Sequence, residues 1–399
     1  MSAKRQPFSF LPDSGAHGRS VVRQDLVDRA RSLVPLLSEH AEDADRLGRL
    51  PDVVVAALYD AGFLSLQVPQ ALAGPGADFR TAFEVYAELG RGCGSSGWLA
   101  MVLSGGSFMA SLLGERARRE LWAADPRAAV CSTLPSAGTA RAVEGGLAVS
   151  GRWRPTSGVH HSAWAMVAVA TEGEDSDLTL AVLPTSSGST DSTWDVTGLR
   201  ATGGDTVLFD DVFVPEHRLL SLGRMMSGGY AEDHPAEPLC AAAVVPALTV
   251  TLVAPLLGMG VAALEYALER LGDEALAHRA EGTGTRNAVA DAASLIDTAR
   301  LRLGRATEDV ERAIDERRQP DPVVQARIHM DAASAARDCR EAVRQVLAAL
   351  GSASFAAANP VQRIWRDMEI ALSHANIAFD TNREAYGRAL LGPAGGHQG

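Results

Sequence analysis

The 399-residue chain is poor in the residues and motifs that usually announce a chemistry. Its four cysteines, Cys93, Cys131, Cys240 and Cys339, lie far apart, without CxxC or zinc spacing. That excludes a disulfide scaffold and reads as reduced, mostly buried thiols of a cytoplasmic protein. No HExxH or other close His/Cys/Asp ligand set appears, so no metal site is expected. There is no P-loop, no GxGxxG between a strand and a helix, and no GxSxG elbow. Gly282-Thr283-Gly284-Thr285-Arg286 falls between helical stretches and reads as a turn. Basic charge is in deficit: the net charge is −12 and no basic stripe is visible, which argues against nucleic acid and anionic membranes as partners. Residues Met1 to Ser20 are polar and hold Gly and Pro but no apolar h-region, so no signal peptide is expected.

One uncharged run needs weighing. Leu239 to Leu264 carries no charge over 26 residues, long enough to span a bilayer. It contains Pro246 and Pro255, is rich in Ala and Thr, and lacks flanking aromatic or basic anchors. A helix buried on all sides within a bundle is the expected reading.

What is present is ample apolar material, 46% of residues, for two or three domains. After the polar tail 1–20, residues 21–127 have helical periodicity. Leu26, Ala30, Leu33, Leu36 and Leu37 make one stripe; Val53, Val54, Ala57 and Leu58 continue until Gly62; Phe83, Tyr86, Ala87 and Leu89 follow a Gly-containing loop. Residues 128–220 change period. Ala129 to Thr133, Thr139 to Val143, Leu147 to Trp153, Trp164 to Ala170, Leu178 to Leu183 and Thr206 to Phe209 are short β-type runs, suggesting a compact antiparallel barrel or sandwich. A polar linker, 221–238, leads to long helices near 240–279, 288–317, 322–350 and 361–390. These make an up-and-down bundle, with 393–399 as a tail. The fold class is α+β in separate modules.

Three places could carry chemistry. In Gly151-Arg152-Trp153-Arg154-Pro155-Thr156-Ser157-Gly158, Pro155 and Gly158 break the ladder, so Thr156 and Ser157 should present hydroxyls on a bend suited to a flat ligand; a decorated hairpin turn is the plain alternative. Ser95 or Ser96 would cap the helix that carries Trp98, or, beside a cofactor, form a wall of its pocket with Trp98. Arg363, Arg366, Asp367 and Ile370 share a helical face that His374 continues. His374 is either a histidine capping a core or a base for a phenol or amine.

Taken in order, these motifs resemble the acyl-CoA dehydrogenase superfamily from about residue 24 to residue 392. The match is carried by Leu58-Tyr59-Asp60-Ala61-Gly62-Phe63, Val68-Pro69, Gly198-Leu199-Arg200-Ala201-Thr202, Phe209 to Pro215 and Gly387-Arg388-Ala389-Leu390-Leu391-Gly392. The resemblance implies an N-terminal helical domain, a middle antiparallel β-barrel and a C-terminal four-helix bundle. Cys93-Gly94-Ser95-Ser96-Gly97-Trp98, Gly151-Arg152-Trp153 to Ser157-Gly158, and Asn359-Pro360 to His374 are more similar to the flavin-dependent monooxygenase branch. A dehydrogenase of this fold would carry a glutamate near His374 and Ala375, and none is there.

The branch implies the oxygenase component of a two-component system. A separate NAD(P)H:flavin reductase delivers reduced FMN or FAD, which reacts with O₂ to a C4a-hydroperoxide that hydroxylates a small aromatic, phenolic or quinone-like substrate. By likeness, Ser157 holds the flavin N5 region, His374 deprotonates or orients the substrate hydroxyl, and Trp98, Ser132, Thr133, Trp153 and Thr156 line the flavin. Arg286, or Arg279, meets its phosphate, and a homotetramer is expected. The rival expectations are an acyl-CoA dehydrogenase-type flavoenzyme, an N-oxygenase of an amino sugar, S-oxidation, and a non-catalytic scaffold.

Overall fold

The computed structural model describes residues 21–171, 178–273 and 276–392; the tails 1–20 and 393–399 lie outside the described residues. Six helices open the chain: α1 (Gln24–Glu39), α2 (Ala41–Leu47), α3 (Asp52–Asp60), α4 (Phe79–Gly92), α5 (Gly94–Ala110) and α6 (Glu115–Trp122). The α1 stripe buries Leu26, Ala30 and Leu37, as the spacing requires, whereas Val53 of α3 faces solvent and only Val54 and Leu58 reach the core. Asp78 caps α4 by accepting the Thr81 amide at 2.7 Å. The cap of α5 is Cys93, with no side-chain bond, so neither Ser95 nor Ser96 performs that task.

The middle region is β1 (Val130–Val143), β2 (Gly146–Trp153), β3 (Trp164–Thr171), β4 (Thr179–Pro184), β5 (Ser189–Asp191), β6 (Thr206–Pro215) and β7 (Leu219–Ser221). The expected antiparallel barrel is corrected: among the described residues these strands form one open sheet in the order β5-β6-β2-β1-β3-β4-β7. Nor is the sheet wholly antiparallel, because β1 and β3 run parallel. The reason is local. The chain leaves β2 at Trp153, passes through the bend at 154–163 beside Thr133, and enters β3 on the opposite side of β1. The two runs expected at Ala129 to Thr133 and Thr139 to Val143 are one strand, irregular between Thr133 and Gly138, where its register with β3 shifts.

A short helix, α7 (Leu222–Met226), precedes the bundle of α8 (Val244–Gly272), α9 (Ala277–Ala280), α10 (Thr283–Asp315), α11 (Pro322–Leu350), α12 (Pro360–Ala371) and α13 (Phe379–Leu391). The apolar run is α8. It is long and apolar enough to cross a membrane, yet 83% of its apolar window is buried inside the protein, against α4, α5, α10, α11 and α12. Its composition is therefore accounted for within a single chain. The Gly282 to Arg286 turn is corrected as well: Gly282 caps α10, and Thr283 to Arg286 form its first turn. The fourth long helix, expected at 361–390, is two, broken at 372–378.

Candidate active site

Three segments meet at the site: the first turns of α5, the bend after β2, and the break between α12 and α13. The bend is fixed by its backbone. Thr156 N–H donates to Asp205 O at 3.1 Å, Gly158 N–H to Thr202 O at 2.9 Å, and His161 N–H to Gly158 O at 2.9 Å. Gly158 has φ +79, and a β-carbon there would lie 2.6 Å from Leu103 and 2.9 Å from Leu99, so only glycine lets the bend press onto α5. The Thr133 hydroxyl lies 3.1 Å from Pro155 O and 2.9 Å from the Thr156 hydroxyl, which bonds Trp153 O at 3.0 Å. These two threonines therefore lock the bend to β1, using on each other the hydroxyls that the resemblance assigns to flavin. Ser157 is half-buried and has no hydrogen-bond partner among the described residues.

Behind the bend, His160 Nε2 sits 2.7 Å from Asp205 Oδ2, while Asp205 Oδ1 accepts the amides of Thr193 and Trp194. Burial pushes the Asp205 carboxyl up, but these bonds outweigh it and hold the group below its ordinary value.

Trp98, buried on α5 one residue before Leu99, meets His374 edge-on with ring centroids 6.1 Å apart. One turn of α5 thus joins the bend of Ser157, through Leu99, to His374, through Trp98. His374 does not continue the face of Arg363, Arg366, Asp367 and Ile370, because α12 ends at Ala371. It caps the next short turn instead, its Nδ1 accepting the Asn376 N–H at 3.3 Å. Asn382 of α13 braces the break from below, bonding Asn376 O at 2.9 Å and Ala378 O at 3.0 Å. Crowding by protein on one side lowers the imidazole pKa, while the other side stays open to solvent. A neutral ring that accepts at Nδ1 carries its proton on Nε2, ready to donate.

The other expected wall residues divide. Ser132 is half-buried on β1 and faces Gly106 of α5. Trp153 has no accessible surface; its Nε1 donates to Ala168 O at 2.9 Å and its ring packs on Phe209, so it supports the sheet and offers no face to a ligand. Arg286 is held by Ala280 O at 2.9 Å on α10, a helix that packs on α8, α11 and α4 and away from the bend. Arg279 bonds Ala349 O. Two cavities, of about 400 and 500 Å³, are lined by Tyr59, His161 and Trp164 and by Asp45, Arg200 and Arg366, respectively; neither includes Ser157 or His374. Ser157, Trp98 and His374 form a rim that neither of these cavities reaches. Burial raises all four cysteine thiols, those of Cys131 and Cys240 to about 12, which disfavours the thiolate form.

The N-terminal and C-terminal domain models of acyl-CoA dehydrogenase match residues 23–125 and 250–379. The flavin-dependent monooxygenase oxygenase subunit HsaA of Mycobacterium tuberculosis is 30% identical over 363 residues, covering 88% of this chain and 91% of that one. The chain belongs to the flavin-dependent monooxygenases of this fold. The FADH(2)-dependent resorcinol hydroxylase oxygenase component of a Rhizobium species is 28% identical, with 92% of this chain and 94% of the relative covered. The solved structure of XiaF from Streptomyces, in complex with FADH2 and glycerol, superposes on the monooxygenase with a TM-score of 0.88 at 29% identity, over 93% of this chain and 96% of that one.

Sequence reasoning missed two features of this monooxygenase. One is the Thr133–Thr156 lock. The other is the burial of Asp367, named only as a member of the Arg363 and Arg366 face, whose carboxyl accepts the Leu199 N–H at 2.6 Å. A charged residue on the apolar side of α12 was the available signal.

Proposed function

We propose that the chain is the oxygenase component of a two-component system that hydroxylates a small phenolic or quinone-like aromatic at the rim formed by Ser157, Trp98 and His374. The observation that carries this reading is the pairing on one turn of α5 of a partner-free hydroxyl and an accessible, neutral imidazole. These groups fit a flat flavin: Ser157 can donate to or accept from a ring nitrogen, and Trp98 supplies an apolar wall. Bound reduced flavin supplies the electrons and the site of O₂ activation. Ser157 would hold the ring and keep water from it. His374, with the proton on Nε2, would donate to the substrate oxygen, stabilising negative charge on a phenolic ring and orienting it for attack. This favours orientation over the base role, because Nδ1 is engaged by Asn376.

Thr133 and Thr156 set the shape of the bend, and Ser132 stands at its edge. Arg286, exposed in the first turn of α10, would serve the flavin phosphate. Exposed Leu301, Leu390 and Leu391, at 76, 59 and 88% exposure, favour burial against further copies, in line with a homotetramer that would also close the rim. Reduced buried thiols and a buried α8 fit a soluble cytoplasmic enzyme.

The test supplies the purified protein with FMN or FAD, an NAD(P)H:flavin reductase and a panel of phenols under ¹⁸O₂. One ¹⁸O atom in a hydroxylated product is expected. Failure to incorporate label, together with bleaching of bound FAD by an acyl thioester, would replace this reading with a dehydrogenase.

A further inference from the structure

Asp367 lies seven residues before His374 in the chain, and it is 4% exposed. Its Oδ1 accepts the Leu199 N–H at 2.6 Å. Its Oδ2 faces the start of α5, where a β-carbon on Gly94 would come within 2.9 Å. The turn carrying Trp98 therefore closes directly onto this carboxyl.

Leu199 has φ +49, a left-handed conformation that leucine keeps only under constraint. The constraints are visible. Its N–H is held by Asp367, and its carbonyl accepts Trp194 Nε1 at 3.0 Å and the Thr202 hydroxyl at 2.8 Å. Next to it the Gly198 backbone rides on α12, with a β-carbon there only 2.1 Å from Arg366 O. The short 3-10 turn Arg200–Thr202 packs on α5 and ends at Thr202 O, which accepts the Gly158 N–H beside Ser157. A continuous path runs from the helix that leads to His374, through Asp367, Leu199 and Thr202, to the bend that carries Ser157.

We propose that Asp367 is a positioning residue that fixes the Ser157 bend, the Trp98 turn and the helix leading to His374 in one register. The inference rests on the reading of Ser157 and His374 as the residues that work on flavin and substrate.

Amide hydrogen exchange on the full-length, flavin-free protein tests the positioning itself. In Asp367→Ala, amides of 154–162 and 372–378 should exchange about tenfold faster, and in Asp367→Asn, whose side-chain oxygen still accepts the Leu199 N–H, close to the wild-type rate. Acceleration confined to 196–203 would overturn the proposal and leave Asp367 a local anchor. Should Asp367→Ala not fold, Asp367→Glu carries the test: its longer stem displaces the acceptor, so faster exchange at 154–162 with unchanged circular dichroism is expected, and wild-type exchange would overturn the proposal.

A second arm mixes FMNH₂-loaded protein with O₂. Ser157→Ala and Asp367→Ala should each speed flavin reoxidation, and the double variant should be no faster than the quicker single one. Additive effects would overturn the route from Asp367 to Ser157. Wild-type reoxidation in Ser157→Ala would instead defeat the reading of the site, with the exchange data still deciding the role of Asp367.

Discussion

The bend that carries Ser157 and the break that carries His374 are built in opposite ways. The bend is held by backbone bonds to Asp205 and Thr202, by the hydroxyls of Thr133 and Thr156, and by glycine packing on α5. The break is a single short turn on the surface, braced by Asn382 and touched by Trp98. One half of the site is thus preorganised within the chain. The other is left for flavin, substrate or a second copy to cover, and preorganisation of the first half lowers the cost of ordering the second. On the proposed roles this division suits the reaction, a rigid group holding the flavin ring while the substrate side opens for exchange.

The largest effect is expected at His374. His374→Ala should lower hydroxylation by at least about a hundredfold while reduced-flavin reoxidation persists, whereas His374→Gln, which keeps a donor, should recover part of the loss. Product yield per flavin oxidised, read by mass spectrometry, decides it. Equal loss of both activities would mean that the break also shapes the flavin side.

Next in size is the pH dependence of the anchored half. Burial, against the Leu199 bond, pushes the Asp367 carboxyl up to about 7, and burial with Asp78 does the same for Glu311, which accepts the amides of Phe79 and Arg80. A folded-state pKa above the unfolded value means that the folded chain binds more protons. The stabilisation is complete below the unfolded carboxyl values and is lost as pH rises through about 7. Thermal unfolding should therefore show a fall in Tm from pH 5 to pH 8 that shrinks in Asp367→Asn. An undiminished fall would show that Asp367 is already ionised at pH 5.

Smaller effects sharpen the contrast. Thr156→Val should cost about 1–2 kcal/mol in global stability, since it removes the bonds of the Thr156 hydroxyl to Trp153 O and to the Thr133 hydroxyl, leaving the latter only Pro155 O. Asn382→Ala should leave global stability within about 1 kcal/mol while raising exchange at 372–378. Trp153→Phe should leave flavin binding unchanged, its cost falling on stability through the lost bond to Ala168 O and the space vacated by the indole. Weakened flavin binding would restore Trp153 as a lining residue.

Much of this architecture was legible because period and punctuation are local. The stripe of α1, the stop at Gly62, the long apolar α8 and the breaks at Gly351 and Pro360 all follow from residues within a turn or two of each other. What escaped depends on distant partners. An open sheet differs from a barrel only in which edges meet, and the parallel β1–β3 pair exists because the bend crosses β1, which no strand pattern encodes. The break at His374 escaped because Leu372 and Ser373 fit a helix, and it is Asn382, eight residues on, that braces the open turn. At the candidate site, Ser157 and His374 came from likeness to the family, and their segments meet one turn of α5 through Leu99 and Trp98. Trp153 and Arg286 were carried by likeness alone. Trp153 is fully buried, and Arg286 is held by Ala280 O on α10.

A crystal structure with reduced FMN and a phenol bound under anaerobic conditions decides whether Ser157 and His374 act on one flavin across the Trp98 turn. The flavin ring is expected in hydrogen-bonding contact with Ser157 and the phenol oxygen in contact with His374 Nε2. Flavin seated in the cavity of Tyr59, His161 and Trp164, with Ser157 and His374 both facing solvent, would contradict it.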